Sequence, residues 1–298
     1  MNAPNTKPLD AMVNRSIGAI LMDAGRLTPD KAEQILRLQR EENLMFGEAA
    51  LKLNMLTADD IAFAMSRQFD YPYLRRGDSP VSEAVTAAYD PFSPAVEALR
   101  ALRSQLMLRW FDKTDSHKCL VVSSPDSGEG RSWLVANLGV VFSQLGERTL
   151  IIDADLRKPA QHSLFGLDNR TGLSTILSGR AGVEAVCKVP GLVDLSVLAS
   201  GPLPPNPQEI LSRALLPDFL QQIAPQYDVI LIDTPPAARF ADANTLTVRA
   251  GAALVVSRLN VSRTRAVRAH CAALRDAGAS IVGTVLTQAD GPTTGRGR

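Results

Sequence analysis

The chain has 298 residues, 45% of them hydrophobic, and a formal net charge of +1, so it has room for more than one domain and apolar content for at least one sizeable core. Acidic and basic residues are mixed along it, which excludes a nucleic-acid binder that relies on bulk positive charge. No stretch approaches the ~18 to 20 uninterrupted apolar residues of a membrane span and no apolar targeting core opens the chain, so a folded cytoplasmic protein is expected, held at any membrane by another protein.

The first elements repeat each other. Residues 16–39 (SIGAILMDAGRLTPDKAEQILRLQ) align with 45–68 (MFGEAALKLNMLTADDIAFAMSRQ), matching Gly18 with Gly47, Leu27-Thr28 with Leu56-Thr57 and Gln39 with Gln68. Each copy predicts a short helix, a turn, an N-cap at Thr28 or Thr57, and an amphipathic second helix. One copy cannot bury its own apolar face, so the two are expected to pack as a small helical domain over 1–70. Residues 71–94 contain Pro72, Pro80, Pro91 and Pro94 and little periodicity, which predicts a linker. Short β-branched runs then alternate with helical patterns, at 119–124, 148–153, 193–200, 228–233, 252–257 and 280–286. Such runs suit strands buried on both faces, and the alternation predicts an α/β fold with a mostly parallel sheet over 95–288. Residues 289–298 read as a disordered tail. Cys119, Cys187 and Cys271 fit no metal spacing and are expected to be reduced core thiols, while His117, His162 and His270 read as structural or solvent-facing.

The first of these strands runs into SSPDSGEGRSWLV, residues 123–135. In such a turn glycines let backbone N–H groups converge on phosphate, and the amino end of the following helix attracts anions. Gly128, Gly130, Arg131 and Ser132 stand where a Walker A loop has Gly-x-Gly-Lys-Ser, with arginine in place of lysine. TLIIDADLRKP (149–159) ends a predicted strand with Asp153 and Asp155, whose i, i+2 spacing puts both on one face. YDVILIDTPP (227–236) ends another with Asp233, in the context of a Walker B aspartate. Carboxylates at the carboxyl ends of neighbouring parallel strands, beside a phosphate loop, are where a hard, oxygen-seeking Mg²⁺ is held.

These three segments, in this order, resemble the bacterial tyrosine kinases, relatives of the deviant-Walker ATPases that include the Min and Par proteins. EALRALRSQ adds to the likeness, since Glu97, Arg100 and Arg103 match the Glu-x-x-Arg-x-x-Arg helix of that family, and so does GPLPPNPQEILS (201–212). With the repeated helical segment included, nearly the whole chain is similar to the exopolysaccharide chain-length-determinant tyrosine kinase subgroup.

The resemblance implies a P-loop NTPase domain that uses ATP and Mg²⁺, docks on an inner-membrane polysaccharide co-polymerase, forms homo-oligomers through Glu97, Arg100 and Arg103, and binds no nucleic acid. Ser127, Gly128, Glu129, Gly130, Arg131, Ser132 and Trp133 would form the nucleotide loop, with Arg131 neutralising the β- and γ-oxygens. Ser132, Asp155 and Asp233 would hold the metal, and Asp153 is the candidate base. The chain departs from the family at Arg131 and in its last residues, which lack the tyrosine cluster many members carry; its tyrosines are Tyr71, Tyr73, Tyr89 and Tyr227. Tyr71 and Tyr73 are the expected acceptors if the protein phosphorylates itself. The alternatives are a Min- or Par-like conformational ATPase and a nucleotide-gated scaffold. The helical repeat also resembles the amino-terminal domains of type II secretion ATPases, some of which bind cyclic di-GMP through Arg-x-Gly motifs. Here Ser16 and Met45 replace those arginines, so protein docking is the stronger expectation and cyclic di-GMP the weaker.

Overall fold

The computed structural model describes residues 16–68, 72–111 and 117–288. Tyr71 and the expected tail at 289–298 lie outside the described residues. The chain divides into two compact units, one up to Tyr73 and one from Leu74 onward.

The first unit holds α1 (Ile17–Asp23), α2 (Pro29–Glu42), α3 (Phe46–Lys52) and α4 (Ala58–Gln68). Thr57 and Asp60 cap α4 reciprocally, the Asp60 N–H donating to Thr57 Oγ1 (3.2 Å) and the Thr57 N–H to Asp60 Oδ2 (3.0 Å). Thr28 occupies the corresponding position without a side-chain cap, and Pro29 opens α2 instead. The equivalent turn positions of the two copies, Gly25 and Asn54, both have positive φ, +67° and +51°, a conformation that glycine and asparagine tolerate best. The repeated glycines are packing residues: a Cβ on Gly18 would stand 3.3 Å from the Phe46 ring and one on Gly47 3.4 Å from Ile61. Leu21, Ile35, Leu56 and Phe63 fill the centre between the copies.

The second unit begins inside the stretch expected as a linker. Leu74, Val81, Val85, Ala87, Ala88 and Tyr89 are buried in the same core as the strands, so the expected linker at 71–94 is corrected from Leu74 onward. The segment carries the short helix α5 (Thr86–Tyr89), and Pro94 opens α6 (Pro94–Arg109). Its prolines start a helix and shape turns, and the absence of a long period reflects brevity of the elements. Buried Asn137 fastens the segment, its Oδ1 accepting from the Ala87 N–H (2.8 Å) and its Nδ2 donating to Trp133 O (2.9 Å).

Seven strands follow: β1 (Cys119–Ser123), β2 (Thr149–Asp153), β3 (Cys187–Lys188), β4 (Leu195–Leu198), β5 (Val229–Asp233), β6 (Ala252–Arg258) and β7 (Ser280–Thr287). Their order in the sheet is β3-β4-β2-β5-β1-β6-β7, parallel throughout except for the antiparallel β3 edge. Alternate residues point to opposite faces, and both faces are covered. Leu120, Val122, Ile151 and Leu231 meet α6 and the central helix α7 (Arg131–Ser143). Val121, Leu150, Ile152 and Ile232 meet the residues of α9 (Leu173–Ile176), α10 (Pro207–Leu211), α11 (Leu215–Ile223) and α12 (Asp242–Ala250). The remaining helices are α8 (Gln161–Leu164), on the loop after β2, and α13 (Thr264–Asp276), which packs on β6. Of the cysteines, Cys271 is buried and Cys119 half-buried, but Cys187 is exposed on β3, which corrects the expectation of a core thiol there.

Asn137→Ala would leave the buried Ala87 N–H without its acceptor. Urea unfolding is expected to show a loss of about 1–3 kcal/mol; an unchanged midpoint would mean that the 74–94 segment is no part of the cooperative unit.

Candidate functional site

The order of the strands brings the three motifs together. β5 lies between β1 and β2, and the register sets Asp153 directly beside Asp233. The loop between β1 and α7 therefore crosses the carboxyl end of the sheet next to both carboxylates. Gly128 (φ +75°) and Gly130 (φ +93°) take the left-handed conformations that turn this loop into the helix.

The loop is braced from inside. Glu129 is fully buried, and its carboxylate accepts from the Asp126 N–H (2.7 Å) and from the Ser262 hydroxyl. Thr287, at the end of β7, donates to Glu129 O (2.8 Å), and Arg258 donates to Gly128 O (2.9 Å). The Glu129 side chain is thus a strut, and only its backbone belongs with the expected nucleotide loop. Ser127 and Gly128 are exposed, Ser132 and Trp133 half-buried. Trp133 faces the groove between α6 and β7 with Leu99, Leu102 and Val285.

Arg131 is turned into the protein. Its Nε donates to Thr234 O (2.8 Å), and its Nη1 to Asp126 O (2.6 Å) and to Ser124 Oγ. The guanidinium links the loop to the residue after β5, a two-sided reach that the point charge of lysine lacks. Neutralising β- and γ-oxygens, as expected from its position, would need a shift of this side chain or the use of its remaining N–H groups.

The carboxylates differ in surroundings. Asp153 is fully buried; its Oδ1 accepts from the Asp155 N–H (3.2 Å), and its Oδ2 from Ala160 and Gln161 N–H (2.9 Å each). Burial and the adjacent Asp233 push it well above the ordinary carboxylate range against those backbone bonds. Both oxygens of Asp153 hold the loop, and Oδ1, with a single bond of 3.2 Å, keeps a lone pair for a further donor. Asp155 lies past the end of β2 and accepts from Arg157 and Lys158 N–H at Oδ1 (3.1 and 2.9 Å). Arg157 in turn pairs with buried Asp242 (2.8 Å) and stacks 3.8 Å over the Phe240 ring.

Asp233 is the exception. Burial pushes its carboxyl up to about 6, against Ser132, Gln161 and Arg131, which favour the charged form. Its Oδ2 accepts from Gln161 Nε2 (2.8 Å), but its Oδ1 is buried without a hydrogen-bond partner among the described residues. An unfilled anionic oxygen beside Ser132 and Asp155 fits a hard cation. Among the described residues no cluster of three or more His, Cys, Asp or Glu is arranged to hold a metal.

Gln161 escaped the sequence reading, since a single glutamine between Pro159 and His162 matches no spacing rule. Its signal is its position in the loop that follows an aspartate-bearing strand. The expected oligomer residues lie on α6: Arg100 pairs with Glu97 (3.1 Å), and Arg103 donates to Val141 O (2.7 Å), bracing α7. His270 is buried with Nε2 2.8 Å from Ser123 Oγ, and burial lowers its pKa.

Residues 117–267 match the family described as AAA domain. The chain is 35% identical over 209 residues to the tyrosine-protein kinase YwqD of Bacillus subtilis, covering 70% of this chain and 87% of that protein. It is also 35% identical to the putative tyrosine-protein kinase EpsB of Ralstonia solanacearum over 69% of this chain, but spans only 27% of that longer protein. Among solved structures, the kinase domain of the Escherichia coli tyrosine kinase ETK superposes with a TM-score of 0.67 at 28% identity, covering 76% of this chain and 88% of that one.

The buried carboxylate predicts a pH dependence. Asp233 rises from an ordinary 3.8 to about 6 on folding, so the folded state holds the proton more tightly. The stability this proton contributes is full below pH 3.8 and is lost as pH rises through about 6, a loss of about 3 kcal/mol for ~2 units. In EDTA without nucleotide, Asp233→Asn is therefore expected to be more stable than the native chain near pH 7.5, by up to that amount, with the gap closing toward pH 4. A gap independent of pH would refute the assignment.

Proposed function

The chain belongs to the AAA domain family and to the bacterial tyrosine-protein kinases, and from that premise we propose that it transfers the γ-phosphoryl group of ATP to protein tyrosine in exopolysaccharide polymerisation and export. The observation that carries this reading is the unfilled Oδ1 of Asp233 beside the phosphate loop. Phosphoryl transfer needs mainly positioning and charge neutralisation, and the site's residues divide along those lines.

Backbone N–H groups from Ser127 to Ser132 would cradle the phosphates at the amino end of α7. Ser132 and Asp233 would hold Mg²⁺ with Asp155 at its edge, and the ion's chemistry there is to offset charge on the β- and γ-oxygens. Asp153 keeps the loop after β2 folded over the site through its bonds to Ala160 and Gln161. Arg131 keeps the phosphate loop in register with the end of β5.

Of the described tyrosines, Tyr89 is buried with its hydroxyl donating to Val81 O, Tyr73 packs on the helical core and Tyr227 on the sheet. Residues 289–298 contain none. The acceptor in this reading is Tyr71, half-buried Tyr73 or a tyrosine of a partner protein, for which the cytosolic segments of an inner-membrane polysaccharide co-polymerase are the proposed candidate. No helix among the described residues is long and apolar enough to cross a membrane. Homo-oligomerisation through the α6 face and protein docking by the helical unit complete the proposal.

The test is purified protein with Mg-ATP, with and without those co-polymerase segments, following phosphate release and phosphotyrosine together. Asp233→Ala is expected to lower both about 100-fold or more. Phosphate release without phosphotyrosine would indicate a conformational ATPase of the Min and Par kind, and neither signal despite tight ATP binding a nucleotide-gated scaffold.

A further inference from the structure

Gln161, the first residue of α8, is fully buried and touches all three motifs. Its backbone N–H donates to Asp153 Oδ2 (2.9 Å), and its side-chain Nε2 donates to Ser132 O (3.1 Å) and to Asp233 Oδ2 (2.8 Å). The amide plane has one satisfactory orientation: the opposite one would set Oε1 against two acceptors, Ser132 O and Asp233 Oδ2. Its own Oε1 and Asp233 Oδ1 are the two acceptors of this cluster that are buried without hydrogen-bond partners among the described residues.

The Ser132 carbonyl is fixed in the first turn of α7, and the Asp153 bond fixes the Gln161 backbone, so the amide is held at both ends. Asp233 can turn its carboxylate about the Cβ–Cγ bond only by breaking the bond to Nε2. A carboxylate restrained through one oxygen presents the other in a constant direction. We propose that Gln161 is the positioning residue of the cation site: it engages Asp233 Oδ2 and thereby holds Oδ1 toward Mg²⁺, while binding nothing of the nucleotide itself. The inference rests on the Mg-nucleotide reading above and adds a residue and a division of labour to it. A partner of this type, which orients a metal-binding carboxylate, changes metal affinity by about 10–100-fold when removed.

Full-length Gln161→Leu and Gln161→Glu separate this role from simple packing. Leucine keeps the volume and removes the donor; glutamate keeps the shape and sets a second carboxylate against Asp233. Binding of a fluorescent ADP analogue is measured in EDTA and then across a Mg²⁺ titration at fixed nucleotide. In EDTA Gln161→Leu is expected to bind within about threefold of the native protein, since the loop N–H groups still hold the phosphates, and Gln161→Glu more weakly through its added negative charge. The Mg²⁺ concentration giving half of the affinity enhancement is expected to rise about 10–100-fold for leucine, and by less for glutamate, whose added charge itself attracts Mg²⁺. An unchanged Mg²⁺ midpoint in both variants overturns the proposal. So does an equal loss of binding with and without Mg²⁺, or unfolding of both variants by circular dichroism, because each is the signature of a packing role. If leucine alone unfolds, the glutamate titration decides. Native protein that binds the nucleotide with no Mg²⁺ enhancement would refute the metal site first and this inference with it, whereas native enhancement with unaffected variants refutes the inference alone.

Discussion

Two aspartates stand side by side at the buried ends of adjacent parallel strands, and the rest of the site is arranged around that repulsion. Asp153 and Asp233 are in register on β2 and β5, both without solvent. Two desolvated like charges in contact cannot both ionise without help. The loop after β2 offsets part of that cost for Asp153 with three backbone N–H groups, although burial and Asp233 still hold its carboxyl well above the ordinary range. For Asp233 the Gln161 amide, Ser132 and Arg131 favour the charge, and Oδ1 is left without a hydrogen-bond partner among the described residues. The asymmetry gives the two residues different work: one carboxylate builds the loop, and the other stays available for an ion. A cation arriving with phosphate relieves the repulsion, so a site that is electrostatically uncomfortable alone is poised to gain from Mg-nucleotide.

The same asymmetry explains what could be read from the chain beforehand. Apolar runs buried on both faces announced β1, β2, β5 and β6 because each strand sits between two helical layers. The glycine turn and the strand-ending aspartates were legible because their chemistry depends on local spacing. Residues whose role depends on contacts distant in sequence were not. Glu129 reads as part of a nucleotide loop, and only its bond to Ser262, 133 positions away, makes it a strut. Asp153 reads as a base, and only the loop from Asp155 to Gln161 reveals that its oxygens also hold backbone N–H groups. Gln161 itself reaches 72 residues to Asp233. The 74–94 segment looked like a linker because its elements are too short to show a period, although Leu74, Val85 and Tyr89 fill the same core as α7.

Arginine in place of the Walker lysine fits this picture of bracing. A lysine offers a mobile charge to the phosphates, whereas Arg131 spans from Asp126 O to Thr234 O and ties loop to strand. On the other flank Arg258 and Thr287 hold the backbone at Gly128 and Glu129. The phosphate loop is therefore fixed on the β5 side by one arginine and on the β6–β7 side by another. Such a loop is preorganised for anions, which favours binding. In the proposed transfer its rigidity would leave charge neutralisation to a bound metal ion and to whatever freedom the Arg131 fork retains.

The placement of the tyrosines bears on how such a site would be used. A hydroxyl that receives phosphate must reach the open side of the loop, where Ser127 and Gly128 are exposed. Tyr89 is sealed against Val81 in the core that anchors α5, and freeing it would dismantle that anchor. Tyr227 packs beside the start of β5, at the end of the strand opposite Asp233. Tyr227 stands two residues before β5 and Asp233 at its carboxyl end, so six residue steps of ~3.3 Å separate them, and this tyrosine cannot turn into its own site. Within this unit Tyr89 is therefore enclosed in the core and Tyr227 stands at the far end of β5 from the loop, which favours an acceptor from outside the unit.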